Sequence, residues 1–433
     1  MQYILLTLLV SFNLQAATLT EIIQHTLATN PDMLLTVNNY RASEQTIKKA
    51  QAGYLPSLEL YGSYGSENSD NTTTRNRIGG DVTLTRSEIG LTLSQMLFDG
   101  FRTKYQIEQQ KFLTNSVANT VKNTSENIAL LTSEVYLEIL RRHELLELTK
   151  SNVVIHQKIL EQIRLLVEGG AGRKADIQQS SSRLSLAKSS LVNAKGKLRD
   201  AEINYRRVTG ELPTTLSIPD SMNNKLPNNS EEALYLALNK HPFLEIAKAN
   251  LAAAKSSHYQ SKSALMPSLT FEVGVSNRDN IDGVEGANDD MSAMLKMRYN
   301  LFRGGSDTAR IQETAERIGA AKESTLSSQR IIEEDVLLSW NGLETIRNRL
   351  EYLQEYAEFA KAVLNSYKEQ FKLGQRSLLD VLDSENELFN ARASLASAKY
   401  AEILSVIKLL ESTGTLLKAL QIKLPQEIRF SDE

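Results

Sequence analysis

The phrase "LFDG" at 97–100 returns as "LFRG" at 301–304, 204 residues later. Its flanks keep step. The same offset carries Tyr136 onto Trp340, Gly170 onto Gly374, Asp176 onto Asp380, and Thr209-Gly210 onto Thr413-Gly414. Upstream the offset is 211: Pro31 falls on Pro242, and "LPSL" at 55–58 on "MPSL" at 266–269. The first copy therefore carries seven extra residues between Leu58 and Leu97. A chain of 433 residues would ordinarily suggest two or three unrelated domains, but this one is a single structural unit written twice.

Proline position divides each copy into long uninterrupted stretches. All eight prolines lie at 31, 56, 213, 219, 227, 242, 267 and 425, leaving 57–212 and 268–424 free of them. From Phe101 to Glu168 there is neither Gly nor Pro, and nothing there stops a helix. Those 68 residues span roughly 100 Å at about 1.5 Å each. The matching stretch is Ser306 to Lys372. Each long helix is expected to end in a tight turn, "EGGAGRKAD" at 168–176 and "KLGQRSLLD" at 372–380, where Gly170 and Gly374 can take the left-handed geometry of a helix C-terminus. Second helices are expected at about 174–209 and 377–412, and third ones at Pro31 to Tyr54 and Pro242 to Leu265. The two shorter helices of a copy together nearly match the long one, so they are expected to stack end to end alongside it. The apolar line Ile128, Leu131, Val135, Leu145, Val153, Leu160, Ile163 and Val167 is broken by Arg142, Thr149 and His156, which gives a mixed seam rather than a clean zipper.

Between these helices the period changes to two. Leu58, Leu60 and Tyr64 alternate with Glu59, Tyr61 and Ser63; Ile89, Leu91 and Leu93 with Gly90, Thr92 and Ser94. In the second copy Leu269, Phe271, Val273 and Val275 alternate with polar or small neighbours, as do Ala293, Leu295, Met297 and Tyr299. Strands of about ten residues are expected, the length a tilted membrane strand needs, joined by polar loops at 67–88 and 277–290. "LFDG" and "LFRG" mark where strand gives way to helix. Four such strands cannot close a barrel, and open edges in lipid would leave backbone groups unpaired. Other subunits must complete them; two copies would give eight strands and three would give twelve, and composition does not choose.

The first seventeen residues, "MQYILLTLLVSFNLQAA", read as a secretory signal cleaved after Ala16 or Ala17, although its first segment lacks Lys and Arg. No other stretch approaches the ~18 consecutive apolar residues of a membrane helix. Net charge is 49 − 52 = −3, which gives no case for nucleic acid, and cysteine is absent, which excludes disulfides, thiolate metal sites and cysteine nucleophiles. Enzymatic patterns are weak: "HELLE" at 143–147 lacks the second histidine of a zinc protease, and "GGAG" at 169–172 follows a helix rather than a strand. No catalytic residue, metal site or cofactor is expected.

These features, with "GQRSLLDVLDSENEL" at 374–388, resemble the TolC family of outer-membrane channel tunnels over essentially the whole mature chain. "LTLSQMLFDGF", "YLEILRRHELLEL", "YNLFRGGSDTARI" and the tryptophan in "LLSWNGLE" look closest to the branch serving type I secretion, which exports large repeat adhesins and agglutination factors. The resemblance implies a mainly α chain with β: a homotrimer in which a long helical tunnel crosses the periplasm and a twelve-stranded barrel sits in outer-membrane lipid. It implies a signal at 1–17, repeats at 18–209 and 241–414, and equatorial segments at 210–240 and 415–433. The implied partners are a periplasmic adaptor (membrane fusion protein), an inner-membrane ABC transporter and a secreted protein substrate.

Specific residues follow from the same resemblance. Asp380 and Asp383 match the aspartate rings at the periplasmic entrance; three apart after a helix start, they share a face, though helix N-terminal acids also serve simply to complement the dipole. Arg376 matches the arginine that latches the closed entrance across a subunit boundary, with Asp176 as its partner. The tyrosine expected nearby is Phe371 here, which cannot donate a hydrogen bond; Tyr367, one turn earlier, is a candidate substitute. Gly170 and Gly374 mark turns where adaptor hairpins would dock. Two other readings stay open, a multidrug or metal efflux channel and a periplasmic coiled-coil adaptor or structural protein. The duplicated strands speak against the adaptor.

Overall fold

The computed structural model describes residues 16–170 and 172–423. The predicted signal peptide, apart from Ala16 and Ala17, and the end of the predicted C-terminal segment lie outside them. In chain order the elements are α1 (Leu19–Thr29), α2 (Pro31–Gln51), β1 (Ser57–Ser69), α3 (Thr72–Arg77), β2 (Val82–Phe98), α4 (Arg102–Glu168), α5 (Lys174–Thr209), α6 (Ser230–Lys240), α7 (Pro242–Ser261), β3 (Ser268–Ile281), β4 (Val284–Arg298), α8 (Ser306–Lys372), α9 (Leu378–Ser412) and α10 (Leu416–Ala419). The order of long elements repeats, as the sequence offset requires. None of the described helices is long and apolar enough to cross a membrane. The chain divides into two compact units, one of residues 16–37, 120–244 and 329–423, the other of 38–119 and 245–328.

The second unit holds one antiparallel sheet in the order β1-β2-β3-β4. Strands from the two copies meet at its centre, where Leu91 faces Val275 and Leu93 faces Val273. Leu58 and Leu60 pair with Leu93 and Leu91, and Val275 with Met291, so one face is apolar from edge to edge. The other face carries Glu59, Thr92, Gly274 and Ser292 in register.

The strands run longer than the alternation predicts, 13 to 17 residues each, and take in most of the polar loop expected at 277–290 and both ends of the one expected at 67–88, whose middle holds α3. Lateral polar bonds extend the ladder there: Asn68 Nδ2 donates to Thr83 Oγ1 at 2.8 Å, Arg86 bridges Glu67 and Glu88 at 2.7 and 2.8 Å, and Asn277 Nδ2 donates to Asp289 at 2.6 Å. Hydrophobic alternation cannot reveal strand beyond the apolar band, because side-chain pairing takes over from burial. β3 and β4 are joined by Asp282-Gly283, both at positive φ (55° and 74°), the two-residue turn that fits the twist of a hairpin.

The "LFDG" junction has a steric basis. Gly100 sits at φ 68°, and a Cβ there would approach the Ser263 carbonyl oxygen and Met266 Cβ to 2.8 Å each. Asp99 then opens α4 by accepting from Thr103 N–H at 2.8 Å and Thr103 Oγ1 at 2.6 Å. In the second copy the equivalent positions are Arg303 and Asp307. The acceptor and donor have changed places, and a guanidinium-carboxylate fork does the same work.

The first unit is helical, with Tyr136, Tyr205, Ile407, Leu409 and Leu410 among its most buried side chains. The expected end-to-end stacking is present in both copies. Asn30 Nδ2 donates to the Val208 carbonyl at 3.1 Å, tying the start of α2 to the end of α5. A Cβ on Gly414, just past α9, would lie 3.0 Å from Pro242 Cδ at the start of α7. Thr149 and His156, which interrupt the seam by chemistry, are nevertheless buried in it.

Candidate functional site at the helix tips

The turns that end α4 and α8 both rely on a left-handed glycine. Gly170 (φ 81°) donates to the Val167 carbonyl at 3.1 Å, and Gly374 (φ 73°) to the Phe371 carbonyl at 3.0 Å. After Gly374, Gln375 N–H reaches back to the Gln370 carbonyl at 2.9 Å, which completes a Schellman closure. A Cβ at either glycine meets nothing within 4 Å, so backbone conformation rather than crowding requires glycine there.

Past the second turn, Ser377 caps α9. Its Oγ donates to the Asp380 carboxylate at 2.8 Å and accepts from Asp380 N–H at 3.2 Å, while Ser377 N–H donates to the same carboxylate at 3.3 Å. Asp380 is thus the third residue of a capping box. Asp383 is exposed and pairs with Arg183 on α5 at 2.7 Å. The two acids share the helix start, yet each already has a partner within the chain. Asp176 is the first-copy counterpart of Asp380, and its carboxylate accepts from Arg173 N–H at 3.3 Å.

Arg376 is held by three groups. Its Nε donates to Gln370 Oε1 at 3.0 Å, its guanidinium carbon lies 4.0 Å from the centre of the Tyr367 ring, and Asp380 stands 3.9 Å away. Among the described residues no bond joins Arg376 to Asp176 inside the chain. Tyr367 does engage Arg376, through its ring face rather than its hydroxyl. Phe371 packs into two clusters at once, with Leu364, Val381 and Leu388 on one side and Ile163, Leu378 and Leu382 on the other. A phenol at this position would carry a hydroxyl into that packing. Phe371 therefore serves the tip by apolar contact, which the sequence reading, centred on a missing hydrogen bond, did not find.

Other polar residues emerge only from the structure. Glu385, 3% exposed, forms an ion pair with Lys368 at 2.5 Å. His156 is buried nearby with its Nδ1 unbonded; burial lowers its pKa, Glu385 draws it back up, and the Arg183 charge lowers it further. Away from the tips, Tyr136 places its hydroxyl 2.8 Å from the Ala17 carbonyl and 2.6 Å from that of Ser217, and its single proton serves one at a time. Glu126 accepts Leu417 N–H at 3.3 Å, and burial pushes its carboxyl up to about 8. Glu411, near it, is pushed up to about 7 by burial and the Asp335 and Glu134 charges. An isolated Glu in a helix rich in Glu carries no sequence signal of burial.

Comparison with known proteins agrees with this architecture. Residues 22–211 and 233–415 match the family model described as outer membrane efflux protein, in two blocks that follow the two copies. The chain is 25% identical over 377 residues to outer membrane efflux protein BepC of Brucella suis, covering 87% of this chain and 80% of that one. It is 22% identical over 410 residues to outer membrane protein TolC of Vibrio cholerae, covering 93% and 91%. With the proteases secretion protein PrtF of Dickeya chrysanthemi it shares 21% over 390 residues, 87% and 83% of the two chains. Among solved structures, the outer membrane protein VceC of Vibrio cholerae superposes with a TM-score of 0.78 at 13% identity, over 92% of this chain and 96% of that one. Paired long helices, a four-stranded sheet with one apolar face and a match over both repeats lead to one assignment: the chain belongs to the outer membrane efflux protein family, as a TolC-like channel protein of the outer membrane and periplasm.

Proposed function

We propose that the chain is the outer-membrane exit duct of a type I secretion system. It acts as a passive homotrimer through which an inner-membrane ABC transporter and a periplasmic adaptor export a protein, a large repeat adhesin. The observation that carries the channel reading is the open sheet. Among the described residues β1 pairs only with β2 and β4 only with β3, while one face carries an apolar band from edge to edge. In lipid, unpaired edges cost several kcal/mol for each backbone group, so neighbouring copies must supply partners. Three copies close twelve strands with the polar face lining a lumen. The secretion branch is supported by the quoted phrases around 90–101, 136–148 and 299–311 and by the similarity to PrtF.

In this reading the helix tips form the periplasmic entrance. Asp380 and Asp383, tripled about the axis, form two carboxylate rings that favour cations. Arg376 and Asp176 latch neighbouring helix pairs when the duct is idle, and the turns at Gly170 and Gly374 receive the adaptor. Residues 210–240 and the described part of 415–433 belt the middle of the tunnel.

The similarity to BepC favours a second reading, a channel for efflux of small molecules. Disrupting the gene in its native cell separates the two. The secretion reading expects a large protein to vanish from the surface and culture supernatant while drug and detergent tolerance stay unchanged. Unchanged secretion with sharply reduced tolerance would replace it with the efflux reading.

A further inference from the structure

At the strand-to-helix junction the second unit encloses an open cavity of about 760 Å³. It lies against the polar face of the sheet, where Arg298 pairs with Ser268 and Met96 with Thr270, all lining residues. Its charged lining is Arg102, Arg298, Arg303 and Arg310 with Asp99 and Asp307, so four guanidiniums against two carboxylates leave two positive charges in excess.

Both carboxylates are committed locally. Asp99 accepts from the backbone and hydroxyl of Thr103 and only approaches Arg102, at 3.8 Å. Asp307 is forked to Arg303. Among the described residues neither Arg298 nor Arg310 has a carboxylate within ion-pair distance. Both side chains are solvent-exposed and line the same cavity, so their guanidinium donors are free to bind an anion that enters it.

We infer that this cavity is a binding site for a phosphate-like oxyanion, with Arg298 and Arg310 as its direct ligands and Arg102 in support. Guanidinium forks match the geometry of phosphate oxygens, and the fork consumed in the Arg303–Asp307 pair shows why Arg303 is not a third ligand. The site lies within one chain's own elements. On the reading of the polar face as lumen, it is reached from the conduit and takes a free anion or an anionic group on the cargo, not a lipid headgroup.

The test is titration of inorganic pyrophosphate into the purified protein in neutral detergent at low salt, followed by calorimetry. One saturable site per chain is expected, weakening by tenfold or more in Arg298→Gln/Arg310→Gln and weakening steeply with added salt. Arg303→Gln frees the Asp307 carboxylate inside the cavity and is expected to weaken binding as well, whereas Asp307→Asn should strengthen it. Absence of saturable binding to the wild-type protein would overturn the proposal whatever the variants do, as would unchanged affinity in the double variant with its assembly intact. Repeating the titration in nanodiscs separates the sources. Equal affinity with neutral and anionic phospholipid is expected, and competition by anionic lipid would overturn the lumenal assignment. Because binding is read without any transport assay, its failure leaves the secretion reading untouched.

Discussion

Arg183 and Asp383, 200 residues apart and on the tip helices of different copies, are joined by an ion pair of 2.7 Å. The bond ties α5 to α9 and takes up part of the charge of an acid proposed to face the entrance. With half its side chain exposed, Asp383 contributes little to stability through this pair, about 1 kcal/mol or less. Its effect is on the local field.

Two opposite changes in ion selectivity follow. Replacing Asp380 and Asp383 with alanine should lower cation preference in planar-bilayer conductance at least twofold and abolish block by multivalent cations. Arg183→Gln should raise cation preference by releasing Asp383. Unchanged selectivity in both would leave Asp380 as the third residue of the α9 capping box and Asp383 as the partner of Arg183, with no carboxylate rings at the entrance.

Arg376 offers a test of closure. In a latch across subunits it would contribute about 1.5–3 kcal/mol per charge-assisted bond, repeated three times by symmetry. Arg376→Ser is expected to raise single-channel conductance several-fold without lowering assembly, and Asp176→Ala to do likewise. The double variant should add little, since both changes break one latch. Tyr367→Leu, which removes the ring under the guanidinium, should give a smaller rise. Wild-type conductance in Arg376→Ser would mean that another contact holds the entrance.

Glu126 predicts a pH dependence. Its carboxyl titrates near 8 in the folded chain, mainly through burial, against an ordinary value of 4.5. Leu417 N–H favours the charged form, and the Glu411 charge opposes it. Because the folded value is the higher, stability is fully present below about pH 4.5 and is lost as pH rises through about 8. Glu411, pushed up to about 7, adds a loss of the same sign at slightly lower pH. The apparent Tm should therefore fall by several degrees between about pH 6 and 9, and Glu126→Gln should flatten much of that fall. Thermal melts of the two proteins at both pH values decide it, and an identical slope would show that Glu126 is not held protonated.

Much of the fold was legible because the repeat is physical: helices ending at Gly170 and Gly374 and strands giving way to helices at Gly100 and Gly304 follow from the offset of 204, and the end-to-end joins at Asn30 and Gly414 from the matched helix lengths. The strands beyond the apolar band were not, since Asn68, Glu67 and Asn277 look like loop residues until their partners are known. At the tips, residue type did not reveal the bonds. Asp380 completes a capping box because Ser377 precedes it by three, a pattern the sequence contains. The packing of Phe371 between two clusters depends on which faces of α4, α8 and α9 meet, and no spacing within one helix reports that.

In the proposed duct the four-stranded sheet is completed by other copies of this chain. Sedimentation equilibrium of the purified protein in density-matched detergent, with circular dichroism on the same sample, tests it most directly. A species of three chains is expected that keeps its β signal and loses it only as the trimer dissociates. A stable monomer with full β content would overturn completion by neighbouring copies, because the edges of β1 and β4 would then need no partner.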